Sequence, residues 1–348
     1  MESVSTSQDR SDSKQELFLS SPEADIRIIG PPDANGCRTL IVEPRQSSLF
    51  VPRRRVLTRY PDELIRLIFS VKKASYLCDE IAREEDPSYV TASLESGLYA
   101  FFRPEQFRGK RVLDFGCGSG ASTVVLNRLL IGAEIYGVEL DTRLLQIAKA
   151  RAVHYGLAAD RLFASPDPHT LPPGLGTFDM VVLSAVWEHL LPSERPEVLK
   201  QIWSLLRPGG FFFLNQTPHR FTPVETHTTG LPLINYLPDR LALSFARSFS
   251  KRVDRHETWE ALLRQGIRGG TENEVAGIIT TSCAGKATVL RPRAQDGIRD
   301  RIDIWYTESS RARLPAIKLS MRVLFKLVKA VTGAQITPEL ILAVEKLS

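Results

Sequence analysis

The sequence predicts an α/β fold: a doubly wound, mostly parallel seven-stranded sheet with helices on both faces, plus an N-terminal extension and a C-terminal helix. Three observations support this. From residue 111 onward, short apolar segments alternate with amphipathic ones, which indicates strands alternating with helices. Glycines at 116, 118 and 120 join the first of these strands to the first helix. An acidic residue, Glu139, then ends the second strand about 20 residues later, as in nucleotide-binding α/β domains.

The individual elements follow from local periodicity and turn residues. Strands are predicted over 111–115, 134–138, 161–164, 179–183 and 211–215, and helices over 121–130, 142–155 and 193–206. Thr271 and Glu274 match a capping box that opens a further helix. Residues 287–290 and 302–306 are the predicted last strands.

The composition along the chain predicts four parts. Residues 1–22 are polar and lack apolar periodicity, which is typical of a disordered tail. The parts that follow are an N-terminal extension with a helical cap over 23–95, the main domain over 96–310 with an insertion at 216–256, and a C-terminal amphipathic helical segment over 311–348. Within the extension, a short strand pair is predicted around the turn at 31–36, and helical periods follow at 61–71 and 76–83.

The bulk composition limits the partners and the compartment. The net charge is only +5, from 45 basic and 40 acidic residues, and no basic stripe indicates a nucleic-acid partner. The four cysteines share no spacing typical of a zinc site or a disulfide framework. Because no segment reaches the roughly 18 apolar residues of a membrane span, we expect a cytoplasmic protein.

The glycine turn on its own leaves two cofactors open. Gly116-x-Gly118-x-x-Ala121 also fits the dinucleotide fingerprint, so a nicotinamide oxidoreductase is one alternative. Asp114 argues against it, because a carboxylate this close to the turn would repel a pyrophosphate and would suit the ammonium group of a methionine moiety.

With these motifs, the chain resembles the class I, Rossmann-like methyltransferases that depend on S-adenosylmethionine, and specifically the type 11 group. The resemblance covers roughly residues 95–220 and includes Asp114-Phe115-Gly116-Cys117-Gly118-Ser119-Gly120, Phe178-Asp179-Met180-Val181-Val182 and Leu206-Arg207-Pro208-Gly209-Gly210. It implies S-adenosylmethionine as cofactor, with Glu139 on the ribose and Asp167 on the adenine. The implied cofactor-binding residues are Asp114, Gly116, Cys117, Gly118, Gly120, Glu139, Leu140, Asp167 and Ser184.

Two segments after the fourth and fifth strands should line the acceptor site, because ligands bind at the carboxyl edge of such a sheet. Within 184–189 and 216–227, His189 and His227 are the candidates for a general base, with Glu225 as the residue that orients it. The expected acceptor is a hydroxyl of a small molecule, a glycan or a lipid-linked compound. We expect no metal, because the potential ligands His219, Glu225 and His227 lie in a Pro-rich loop and lack the close histidine pairing of a helical metal site.

The C-terminal helix has an apolar and a basic stripe. Ile317, Leu324 and Val331 belong to the first, and Lys318 and Lys326 to the second, so peripheral contact with the inner face of a membrane through 316–331 is one hypothesis. Packing against the domain or a second copy is the alternative, and the oligomeric state is left open. A non-catalytic, methyltransferase-like binding protein also stays open as a function.

Overall fold

The computed structural model describes residues 17–30, 36–46, 49–168, 170–283, 286–293, 297–308 and 315–347. The chain divides into two units, Met1–Asp86 and Pro87–Ser348. The division falls nine residues before the predicted start of the main domain at residue 96, because the helix over Val90–Phe101 belongs to the second unit.

The first unit holds an antiparallel sheet of order β1-β2-β3-β4, followed by one long helix. The predicted strand pair is β2 with β3, and Ile28 lies opposite Leu40. The predicted tail over 1–22 is too long, because residues 17–20 form a strand that pairs with β2. The predicted turn at 31–35 lies outside the described residues. A left-handed residue, Lys73 (φ 58°), interrupts the helix between its two predicted pieces. The elements are β1 (Leu17–Ser20), β2 (Ala24–Ile29), β3 (Arg38–Pro44), β4 (Arg55–Thr58) and α1 (Asp62–Glu85).

The second unit is built on the predicted seven-stranded sheet, which has the order β10-β11-β9-β8-β5-β6-β7. The five strands from β9 to β7 run parallel, and β11 runs antiparallel to both of its neighbours. The strands are β5 (Arg111–Phe115), β6 (Glu134–Glu139), β7 (Leu162–Ala164), β8 (Phe178–Ser184), β9 (Leu206–Pro218), β10 (Ala287–Val289) and β11 (Glu339–Lys346).

Helices cover both faces of this sheet, because the side chains of each strand alternate between two buried cores. On β5, Val112 packs in one core with α2, α3 and α9, whereas Leu113 packs in the other with α5 and α8. The helices are α2 (Val90–Phe101), α3 (Ala121–Leu129), α4 (Thr142–His154), α5 (Arg195–Leu205), α6 (Asp239–Phe249), α7 (Trp259–Arg264), α8 (Glu272–Ser282), α9 (Arg301–Glu308) and α10 (Pro315–Thr332).

The insertion after β9 has a small core of its own. Ile234, Ala246 and Leu262 are fully buried together with parts of α6 and α7. This core reaches Ile267, so the insertion extends beyond the predicted limit at residue 256.

The prediction of a strand over 302–306 is wrong, because this segment is helix α9. The carboxylate of Asp300 accepts the backbone N–H groups of Ile302 and Asp303 at 3.1 and 3.2 Å and so caps the helix. The missing strand is β11, which lies between β9 and β10. The main domain therefore does not end at residue 310, and the segment over 311–348 is not purely helical.

Helix α10 turns its predicted stripes the opposite way from an amphipathic helix that packs its apolar side against its own domain. Its basic side chains point inward: Lys326 binds Asp300 and Asp303, both at 2.8 Å, and Arg322 binds Asp303 at 2.6 Å. Its aliphatic side chains point outward, with Val331 85% exposed. The basic side chains that the predicted membrane contact would need are therefore already paired with carboxylates of the domain. Among the described residues, none of the helices combines the length and apolar character needed to cross a bilayer.

Candidate active site

The glycine turn connects β5 to α3 at the carboxyl edge of the sheet. The backbone N–H groups of Gly116 and Cys117 both bind the carbonyl of Val138 on β6, at 2.8 and 3.0 Å. Gly116, Gly118 and Gly120 have φ angles of 72°, 55° and 85°, a region that side chains disfavour. The sequence therefore needs glycine at these positions for the backbone itself.

The three glycines face different surroundings. A Cβ at Gly116 would lie 2.8 Å from a methyl group of Val186, and one at Gly120 would lie 2.9 Å from the Cα of Ala148 on α4. A Cβ at Gly118 would meet no described atom within 4 Å. Gly116 and Gly120 thus allow close packing, whereas Gly118 borders open space where a ligand can approach the backbone.

The carboxylate of Glu139 ties the turn to the end of β6. Its Oε2 accepts the N–H of Gly118 at 2.7 Å, and its Oε1 accepts the N–H groups of Leu140 and Asp141, both at 2.8 Å. The loop after β7 reaches the same place, because the N–H of Ser165 binds the carbonyl of Glu139 at 2.8 Å. The predicted ribose-binding acid therefore lies directly beside the open glycine.

Asp114 has a different setting from the one predicted. Its carboxyl is only 1% exposed, and its Oδ2 accepts the hydroxyl groups of Ser122 and Thr123 at 2.7 and 2.6 Å. Both donors lie in the first turn of α3, so Asp114 holds the start of this helix under the glycine turn. In this arrangement the carboxylate supports the turn, and its predicted contact with an ammonium group stays a prediction.

The remaining predicted cofactor residues surround the turn. The Cys117 side chain is buried, and a Cβ at Gly137 would lie 2.9 Å from its sulfur, so only its backbone faces a ligand; burial raises the pKa of this thiol well above its usual range. Leu140 is 47% exposed at the rim. Asp167 lies in the loop after β7, bridged to Thr170. Ser184 ends β8, where its hydroxyl donates to Gln216 at 3.2 Å.

The predicted acceptor side contains a cluster of three side chains, Glu188, His189 and His227, here called the rim cluster. One ligand atom of each lies within 4.8 Å of the others, and the two imidazole rings are 5.8 Å apart. The Nδ1 of His189 lies 2.7 Å from the carbonyl of Arg264, which only accepts, so Nδ1 carries the hydrogen. The lone pair of Nε2 is then left on the side of Glu188, 3.8 Å from its Oε1.

Glu225 does not lie against either histidine ring as an orienting acid. Its Oε1 accepts the backbone N–H groups of His227 and Thr228, both at 2.8 Å, and its Oε2 accepts the hydroxyl of Thr229 at 2.7 Å. The carboxylate therefore shapes the loop that carries His227. The prediction that Glu225 orients a histidine base is therefore corrected. Its carboxylate instead accepts the backbone N–H groups of the residues two to four positions further along the chain.

Glu188 lies in the predicted acceptor segment over 184–189, but it is not among the predicted candidates for the base or the orienting acid. It is fully buried, its Oε2 accepts the hydroxyl of Thr217 at 3.0 Å, and burial raises its pKa. Only its position beside His189 after a buried strand could have indicated it. Two left-handed residues, Ala185 (φ 55°) and Gln216 (φ 57°), mark the same edge, and such backbone strain is concentrated at functional sites.

A second acid reaches this edge from β11, which the sequence analysis missed. Glu339 pairs with Pro218 at the end of β9. Burial, followed by the nearby carboxylates of Glu308 and Glu188, raises its pKa to about 8. In contrast, burial lowers the pKa of His219 to about 4, so this imidazole is neutral at physiological pH.

This fold and this edge define an α/β domain that binds its ligand beyond the carboxyl ends of parallel strands, beside a glycine turn. Residues 112–210 match a family model described as a methyltransferase domain. This match agrees with the resemblance to class I S-adenosylmethionine-dependent methyltransferases seen in the sequence.

The relatives match over the same region. The chain is 35% identical over 117 residues to a ubiquinone biosynthesis O-methyltransferase of Nitrosococcus oceani, covering 32% of this chain and 47% of the relative. It is 32% identical over 120 residues to the protein of that name from Xanthomonas euvesicatoria, covering 33% and 48%. The chain therefore spans about half the length of the curated relatives it matches. Among solved structures, mitomycin 7-O-methyltransferase MmcR aligns with a TM-score of 0.44 and 14% identity, over 81% of this chain and 60% of that one.

Proposed function

We propose that the protein transfers the methyl group of S-adenosylmethionine to a hydroxyl oxygen of a small-molecule acceptor. The observation that carries the proposal is the adjacency of two groups at one sheet edge. The glycine turn follows β5, and Glu188 and His189 of the rim cluster follow its parallel neighbour β8, in the register Asp114 opposite Val182. Gly116 also packs against Val186, two residues before Glu188.

On the donor side, the open backbone at Gly118 and the carboxylate of Glu139 would hold the nucleoside. Glu139 already points at the turn, so a ribose hydroxyl can donate to it without rearrangement of β6. Leu140 offers an exposed apolar surface beside it for the adenine, and Asp167 lies in the neighbouring loop. Asp114 acts on the donor through the turn that it holds.

On the acceptor side, methyl transfer needs the attacking oxygen in line with the sulfonium, and it needs the hydroxyl proton removed. The rim cluster lies where such a hydroxyl would enter. His189 has the tautomer of a base, with the lone pair of Nε2 on the side of the cluster. His227 lies beside it on the insertion loop, so either imidazole can take the proton.

The names of the relatives favour a small hydroxylated molecule as acceptor, because both are O-methyltransferases. A glycan or a lipid-linked hydroxyl compound fits the same chemistry. The outward aliphatic side of α10 and the exposed Leu241 and Phe249 of α6 are compatible with a lipid-linked acceptor.

The donor half is tested by isothermal titration of the full chain with S-adenosylmethionine and, separately, with NAD. We expect binding of S-adenosylmethionine that Glu139→Gln weakens at least ten-fold, about 1.4 kcal/mol. The exposed Glu197→Gln on α5 is the matched control and should bind as the unchanged chain does. Tighter binding of NAD, or no binding of S-adenosylmethionine, would contradict the proposal.

The acceptor half is tested with S-adenosylmethionine labelled in its methyl group. The panel contains aromatic and aliphatic hydroxyl compounds, glycosides and lipid-linked hydroxyl compounds, and label is expected in the product of one class. Donor binding without transfer to any member would instead favour the non-catalytic binding protein.

A further inference from the structure

We infer that Glu188, His189 and His227 bind a divalent transition-metal ion at the acceptor side of the site. The sequence analysis expects no metal, because the potential ligands that it considers, His219, Glu225 and His227, lie in one Pro-rich loop and lack a helical histidine pair. The structure brings the three ligand atoms within 4.8 Å of one another. Ion binding is independent of the proposed function, and only the role of the ion in methyl transfer rests on it.

The geometry is close to that of a bound ion. Zinc takes imidazole nitrogen and carboxylate oxygen at about 2.0–2.2 Å, which places neighbouring ligand atoms of a tetrahedral site roughly 3.3 Å apart. The Oε1 of Glu188 and the Nε2 of His189 are already 3.8 Å apart. The whole set lies within 4.8 Å, so the largest contraction needed is about 1.5 Å, and the exposed His227 ring would make most of that movement.

Glu188 provides an independent indication of a ligand. Its side chain is fully buried, and its Oε1 has no hydrogen-bond partner among the described residues. A buried carboxylate oxygen without a partner destabilises the fold, and the penalty is larger when the group is charged. A cation between this oxygen and the two imidazoles would remove that cost.

The surroundings hold the ligands as metal sites commonly do. The carbonyl of Arg264 accepts the hydrogen of His189 Nδ1 and so directs the Nε2 lone pair to the cluster. The hydroxyl of Thr217 holds the other oxygen of Glu188. Gly266 has no side chain to fill the space, since a Cβ there would lie 2.8 Å from the His227 ring and 3.0 Å from Glu188.

The ligand set suits a reactive ion better than a structural one. Two imidazoles and one carboxylate leave at least one position of a zinc-type ion open, as in catalytic zinc sites. Both imidazoles are exposed, so the open position faces the acceptor side.

An acceptor hydroxyl bound at this open position has a lowered pKa. It loses its proton to water, and its oxygen forms the new O–C bond as the S–C bond of the donor breaks. With the ion bound, the two histidines are its ligands, and the role of base described above applies only to the ion-free site.

The test is titration of the chelator-treated full chain with Co²⁺ and with Zn²⁺, followed by calorimetry and, for Co²⁺, by visible absorption. We expect one ion per chain, with Glu188→Gln and His227→Asn each weakening binding more than 100-fold. Thr217→Val should weaken it about 10- to 100-fold, since it removes only the support of Glu188. His256→Asn, at an exposed histidine of the insertion, is the matched control and should leave affinity unchanged.

Each sample is also titrated with S-adenosylmethionine, and its thermal unfolding is recorded to show that the variant folds. Wild-type protein without a one-to-one site, or equal affinity in wild type and the two ligand variants, would overturn the metal site while leaving donor binding intact. Loss of donor binding with a normal metal titration would count against the methyltransferase proposal instead.

Discussion

Alanine at each glycine of the turn should separate packing from ligand approach. Gly118→Ala places a side chain at φ 55° in open space, which costs about 1–2 kcal/mol of backbone strain. Gly120→Ala has the same strain at φ 85°, and its Cβ would also lie 2.9 Å from the backbone of Ala148. Overpacking of this kind adds about 1–3 kcal/mol, so the expected total is about 2–5 kcal/mol. Gly174→Ala, at φ 79° with no described atom within 4 Å, is the control for strain alone.

The four tryptophans all lie in the second unit, so urea unfolding followed by their fluorescence reports on this unit alone. Calorimetry with S-adenosylmethionine gives the second measurement. Gly118→Ala should lose at least ten-fold in affinity, about 1.4 kcal/mol, while its stability matches that of Gly174→Ala. The reasoning fails if Gly118→Ala binds the donor normally, or if Gly120→Ala is no less stable than Gly174→Ala.

Two further predictions concern the region around α10. Burial tends to raise the pKa of Asp300, but hydrogen bonds from Lys326 and Lys329 outweigh it and lower this pKa to about 2. Because the folded pKa lies below the ordinary aspartate value of 3.8, this carboxylate stabilises the fold above about pH 4, and its contribution is lost as the pH falls towards 2. Asp300→Asn should therefore flatten the acid dependence of the unfolding midpoint, and a dependence as steep as wild type would contradict the assignment. Deletion of 311–348 removes β11 from between β9 and β10, so cooperative unfolding by tryptophan fluorescence should be lost; a cooperative transition would show that β11 is dispensable.

Local sequence signals predicted the donor half of the fold well. The strand over 111–115 and the helix start at Ala121 are in the structure as predicted, because an apolar run and a glycine turn act over a few residues. The errors have two causes, one local and one distant. Residues 302–306 have the apolar content of a strand, but the capping carboxylate of Asp300 starts a helix, and β11 becomes a strand by pairing with β9.

The acceptor half shows the same limit. His189 and His227 were found as candidates because both follow strands at the ligand edge, and the structure places their rings together. Their surroundings come from more distant segments: the carbonyl that fixes His189 belongs to Arg264 at the end of α7 in the insertion, and Glu188 is held by Thr217 on β9. Glu225 was misjudged because a short backbone turn captures its carboxylate, and composition alone does not show which donors it will find.

The inward basic side of α10 gives this helix an unusual response to dissolved salt. The Debye length shrinks from about 10 Å at 0.1 M to about 3 Å at 1 M, so ion pairs at partly exposed positions such as Lys326 weaken. Salting-out ions strengthen apolar association over the same range. An ordinary amphipathic helix is pressed more firmly onto its domain under these conditions. Here the two effects oppose each other: concentrated sulfate loosens the attachment to Asp300 and Asp303 while it drives the outward aliphatic surface towards any other apolar surface.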